Sequence, residues 1–133
     1  LPYLLNQAAE ESSLAFQQVY KNRYGMLRTE WRVLFHLGMY GELTAKEIVI
    51  RARIHKTKVS RAVQRLAERR FVTRKRDHTD RRSEKLALSP AGLSAYRDLQ
   101  TVARDYDARL VRTFTPEEAA LLRRMLRKLA QGT

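Results

Sequence analysis

The sequence predicts a mainly α protein with a small β-hairpin, and three observations carry that expectation. Apolar residues recur at helical spacing along most of the 133 residues. Two short stretches, Phe71–Lys75 and Lys85–Leu88, alternate apolar and polar instead, and they flank a polar loop, DHTDRRS. Helix-start signals recur at Thr29, Thr44, Ser89 and Thr115, each just ahead of an apolar periodic run.

The first helix spans residues 3–24. Leu4 or Leu5, Ala8, Ser12, Ala15 or Phe16, Val19 and Arg23 recur on one stripe. Such a stripe is either core or, at a chain end, a seam between subunits. Gly25 and Met26 interrupt it. Thr29 is the expected N-cap of the second helix, with Glu30 in the first turn where the helix dipole favours a carboxylate. Trp31, Leu34, Phe35 and Leu37 make this the central helix, and Gly41 closes it. Thr44-Ala-Lys-Glu47 is a capping box that opens a short helix to about Ala52 and buries Ile48, Val49 and Ala52.

Arg53 and Ile54 lead into HKTKVSRAVQRLAERR, residues 55–70. At 100° per residue Val59, Ala62, Val63, Leu66 and Ala67 share one side, and Thr57, Lys58, Arg61, Gln64 and Arg65 share the other. Two short helices with a tight link make a helix-turn-helix whose second helix is basic. The hairpin that follows is the wing. Ser89-Pro90 restarts helix to about Thr113, with Gly92 costing it up to about 1 kcal/mol relative to alanine. Thr115-Pro-Glu-Glu118 opens the last helix, with Ala119, Leu122, Met125, Leu126 and Leu129 on one face. The expected architecture is a winged helix-turn-helix flanked by N- and C-terminal dimerisation helices. It forms one domain over residues 1–133, with a DNA-binding lobe at about 29–89 and pairing helices at about 3–24 and 90–131. Long amphipathic helices at both ends can pair with those of a second copy, giving a two-fold homodimer.

Charge points to the partner. The net charge is +13, and residues 51–85 hold fourteen Lys or Arg against four acids. A concentration of that kind is the footprint of a polyanion binder. A membrane surface would want bulky apolar groups beside the charge, and residues 55–70 contain no aromatic. Lys and Arg neutralise phosphates, Arg and Gln read base edges bidentately, and Thr and Ser do either. The candidate contacts are Thr44, His55, Lys56, Thr57, Lys58, Ser60, Arg61, Gln64 and Arg65, then Arg76, His78, Asp80, Arg81 and Arg82 in the wing. Wing arginines suit the negative potential of a narrow minor groove. The competing readings are a basic surface helix with no partner and a non-specific architectural DNA- or RNA-binding protein. The capped helix before the basic one and the wing after it argue against the first, and Thr57, Ser60 and Gln64 among the cations argue against the second.

Other classes are excluded. There is no cysteine, so disulfides, thiolate catalysis and thiol-based sensing are out. His36, His55 and His78 lack ligand spacing, so no metal and no cofactor are expected. No nucleophile–base set or glycine-rich phosphate loop marks an enzyme. No apolar run approaches the roughly 20 residues of a membrane span, and a cytoplasmic protein is expected.

The capped third helix, the basic fourth, the stretch DRRSEKLALSPAG at residues 80–92 and TEWRVL at 29–34 together resemble the MarR family of bacterial transcription regulators. The resemblance covers nearly the whole chain. It implies a homodimer on a pseudo-palindromic operator, usually repressing, with half-sites about one helical turn, roughly 34 Å, apart. It also implies a recognition helix in the major groove, Arg82 as the minor-groove probe, and Asp80 bracing the wing. Small aromatic acids release many members, and Tyr20, Tyr24, Trp31, Arg32, His36 and Tyr40 can supply rings and a cation for such an effector. The alternative places these six in core, interface or solvent. One departure stands out: Arg70 occupies a position where the family commonly has glycine, so the helix must accept left-handed strain there or end differently.

Overall fold

The computed structural model describes residues 1–76 and 84–132. In chain order they form α1 (Pro2–Tyr24), α2 (Arg28–Tyr40), β1 (Leu43–Thr44), α3 (Ala45–Ala52), α4 (Lys56–Glu68), β2 (Val72–Arg76), β3 (Glu84–Leu88), α5 (Pro90–Leu110), a 3-10 turn (Val111–Thr113) and α6 (Pro116–Gln131). The chain gathers into two units, residues 1–100 and 101–133.

The first unit holds the core. Val33, Leu34 and Leu37 of α2, Ile48 of α3, Val59, Val63 and Leu66 of α4, Leu86 of β3 and Leu99 of α5 are all buried. α1 contributes Tyr20 fully and Phe16, Val19 and Tyr24 in part. α2 is the central helix as expected, but Trp31 and Phe35 are only partly buried. The residue that joins Val33, Leu34 and Leu37 inside is Glu30. The helix also starts earlier than expected. Leu27, not Thr29, is its N-cap, because the Glu30 carboxylate accepts from the Leu27 amide at 3.3 Å and so stretches the first turn back.

The three strands form one antiparallel sheet in the order β1-β3-β2, with Leu43 opposite Leu86 and Val72 opposite Leu88. The expected hairpin is therefore present, with a short third strand added along its edge. The Thr44 and Thr115 capping boxes both form. α4 ends at Glu68 rather than Arg70. The Arg70 amide bonds to the Ala67 carbonyl at 3.0 Å and the Phe71 amide to Leu66 at 2.9 Å, while Arg70 itself takes a φ of 64°. That is a Schellman stop with arginine in the left-handed position. α5 ends at Leu110, and its expected last turn to Thr113 is the tighter 3-10 form.

Ser89 joins the wing to α5. Its hydroxyl donates to the Arg70 carbonyl at 2.6 Å and accepts from the Gly92 amide at 3.0 Å. Gly92 is needed here: a Cβ would lie 2.0 Å from the Phe71 carbonyl oxygen. That close approach is why glycine stands here despite its helix-propensity cost.

In the second unit Arg123 pairs with Asp107 at 2.9 Å. None of its described residues is fully buried, and Leu121, Met125, Leu126 and Leu129 stay 42–51% exposed. No helix among the described residues is long and apolar enough to cross a membrane.

Candidate nucleic-acid interface

α4 is seated by Val59, Ala62, Val63 and Leu66, and its opposite side presents Thr57, Lys58, Ser60, Arg61, Gln64 and Arg65, all exposed. The sequence reading of the two faces holds residue for residue apart from Ala67, which is half-buried. His55 is the N-cap: its Nδ1 accepts from the Thr57 amide at 3.2 Å. Lys56 and Arg76 are exposed. Thr44 serves first as a cap, its hydroxyl accepting from the Glu47 amide at 3.2 Å. The Glu47 carboxylate accepts in return from the Thr44 amide, and these bonds hold its pKa below the ordinary value. His78, Asp80, Arg81 and Arg82 lie outside the described residues.

Two of the face residues are steered by neighbours. Gln64 donates from Nε2 to Glu68 at 3.2 Å, which leaves the amide oxygen facing away from that carboxylate. Arg65 lies 3.8 Å from the carboxylate of Glu30. A buried acid on a basic face costs desolvation unless partnered, and Arg65 and the Leu27 amide are its partners.

Between the start of α2 and the outer side of α4 runs a groove of about 210 Å³, lined by Leu27, Thr29, Glu30, Lys58, Arg61, Ala62 and Arg65. Three cations from α4 thus meet the first turn of α2. Sequence reasoning missed the contribution of α2. The signal was its start, misplaced by two residues.

The six residues considered for an effector do not share one environment. Tyr20 is buried and stacks on Trp31 at 6.1 Å, with Phe16 edge-on to both. The Tyr24 hydroxyl donates to Asp98 at 2.6 Å, and burial together with that bond pushes its pKa up to about 12. Arg32 donates from Nη2 to the Ala52 carbonyl at 2.5 Å, closing the end of α3, and burial lowers its pKa. His36 Nδ1 lies 2.7 Å from the Arg32 carbonyl, and Tyr40 is exposed beneath the Arg51 guanidinium at 4.2 Å.

The model of the MarR family matches residues 24–83 of the chain. An uncharacterized HTH-type transcriptional regulator of Bacillus subtilis (strain 168), YwoH, is 25% identical over 108 residues, covering 81% of this chain and 78% of that one. Among solved structures, BpsR of Bordetella bronchiseptica, whose DNA binding is regulated by 6-hydroxynicotinic acid, is similar with a TM-score of 0.88 at 22% identity, covering 97% of each chain. The MepR–DNA complex of S. aureus gives a TM-score of 0.89 at 18% identity, covering 100% of this chain and 98% of that one. A mutant MarR of E. coli complexed with operator DNA gives 0.86 at 20% identity, covering 97% and 92%. These likenesses show a shared fold.

Proposed function

We propose that the chain, whose residues 24–83 match the model of the MarR family, is a DNA-binding transcriptional regulator rather than an enzyme and acts as a sequence-specific repressor. In this proposal a homodimer binds a pseudo-palindromic operator. The observation that carries it is the outer side of α4, where donors and acceptors able to read bases stand among phosphate-neutralising cations while the opposite side is packed. Apolar residues left exposed in each unit, Leu4 and Leu14 in the first and Leu121, Met125 and Leu129 in the second, support pairing with a second copy.

α4 enters the major groove in this scheme, with Arg61 and Gln64 reading bases and Lys56 and Lys58 meeting phosphates. Arg76, His78, Arg81 and Arg82 are proposed to serve the minor-groove flank, with Asp80 proposed as brace; of these only Arg76 lies among the described residues. The effector is proposed to be a small aromatic acid; the regulation of BpsR by 6-hydroxynicotinic acid supports the ligand class, and Trp31, whose ring packs with Phe16, Tyr20 and Phe35, is the aromatic centre among the six candidates.

Competition binding tests the proposal. A duplex enriched by the chain from a random pool should outcompete a scrambled duplex of the same length by about a thousandfold or more. Arg61→Ala and Gln64→Ala should relax preference at particular base pairs, and Arg82→Ala should weaken binding through the flanks. Equal affinity for both duplexes would establish non-specific binding instead. Titration with 6-hydroxynicotinic acid, read as thermal shift and as release from the duplex, tests the effector.

A further inference from the structure

The carbonyls that end α1 are met by a side chain from another element. Arg69, which closes α4, donates from Nη1 to the Gly25 carbonyl at 2.9 Å and from Nη2 to the Tyr24 carbonyl. A helix C-terminus leaves its last carbonyls without partners and carries the negative pole of the dipole. A planar guanidinium satisfies two such oxygens together from a rigid fork, where an ammonium head offers three rotatable donors on a flexible stem and holds no fixed geometry. Gly25 has a φ of 62°, and a Cβ there would stand 2.8 Å from Arg69 Nη2. Glycine therefore both makes the turn and leaves the guanidinium its place.

The same corner is tied on two other sides. Tyr24 sets its ring edge-on to Phe71 at 6.1 Å, and Phe71 follows Arg69 by two residues. On α5, Asp98 accepts from the Tyr24 hydroxyl and from Arg23 at 2.9 Å. The last turn of α1 is thus fastened to the exit of α4 by Arg69 and to α5 by Asp98. By charge alone Arg69 belongs with the phosphate-neutralising cations of residues 51–85. Both of its terminal nitrogens instead donate to backbone carbonyls.

We propose that Arg69 is a positioning residue: by clamping the end of α1 it sets the attitude at which α4 presents Thr57 to Arg65, and it does not contact the nucleic acid. This rests on the DNA-binding proposal above. The full chain is assayed on the duplex that the wild type enriches from a random pool and on a scrambled duplex, each across a salt series. Arg69→Met should weaken the enriched duplex about tenfold, hardly change the scrambled one, and leave the slope of log affinity against log salt as in the wild type. A loss equal on both duplexes, with the slope reduced by about one, marks a phosphate contact and overturns the proposal. No loss on either duplex overturns it as well.

Two variants separate clamp from charge. Arg69→Lys keeps the charge, so a phosphate role predicts full recovery and the clamp predicts persisting loss. Gly25→Ala alters no charge, yet it should reproduce the loss on the enriched duplex alone; unchanged discrimination refutes the clamp. Should Arg69→Met fail to fold, as judged by its thermal melt, these two variants decide. A wild-type chain that enriches no duplex sinks the DNA-binding proposal first and the role of Arg69 with it.

Discussion

Arg70 pays for the direction in which the chain leaves α4. Its φ of 64° is a conformation that costs a side-chain-bearing residue roughly 1–2 kcal/mol, and two backbone bonds of the Schellman stop hold it there. Arg70→Gly should therefore stabilise the chain by about 1 kcal/mol, after allowance for the freer unfolded glycine chain. A urea midpoint that rises with an unchanged m-value would show it. The sequence marked this residue as out of place but gave no notice of Arg53, which has a φ of 54° after α3. Arg53 follows a helix whose end is set by packing and by the Arg32 guanidinium on the Ala52 carbonyl, a contact across 20 residues.

Elements differ in how much of their definition is local. The capping boxes at Thr44 and Thr115 were legible because every partner lies within three residues. β1 was not legible: two residues have no periodicity, and only their pairing with Leu86 and Lys85 makes them a strand. The tie between α1 and α5 was equally hidden, and it carries a pH signature. Hydrogen bonds from Tyr24 and Arg23 hold the Asp98 carboxyl below its ordinary value of 3.8. A depressed carboxyl stabilises the fold above its unfolded pKa, and that contribution is lost as pH falls through the lower folded value. The stability gap between wild type and Asp98→Asn should be constant from about pH 5 to 8 and close on further acidification. Tyr24 acts at the other extreme: its raised pKa makes a contribution present below 10.0 and lost as pH rises through about 12. Denaturant melts at stepped pH measure both limbs. A gap that stays open at low pH would show that Asp98 does not carry the tie.

At the scale of the whole molecule, electrostatics was the most legible property and the effector region the least. Net charge and its placement need no folding to be counted. The six effector candidates, by contrast, are near each other along helices yet face core, backbone and solvent separately, because side-chain partners such as Asp98 and Ala52 come from distant segments. A net charge of +13 predicts strong salt dependence. If a dimer neutralises about six phosphates or more, affinity for a scrambled duplex should fall by about a thousandfold between 50 and 200 mM salt. A shallow slope in fluorescence anisotropy would mean that few of these cations touch the duplex.

The contact between position 92 and the Phe71 carbonyl has a further consequence. Two backbones that touch with no side chain between them act as a pin joint without play, since neither surface contains a rotamer that could yield. A shift of the first turn of α5 therefore bears directly on the chain at Phe71, where β2 begins, with the Ser89 hydroxyl bridging the same joint.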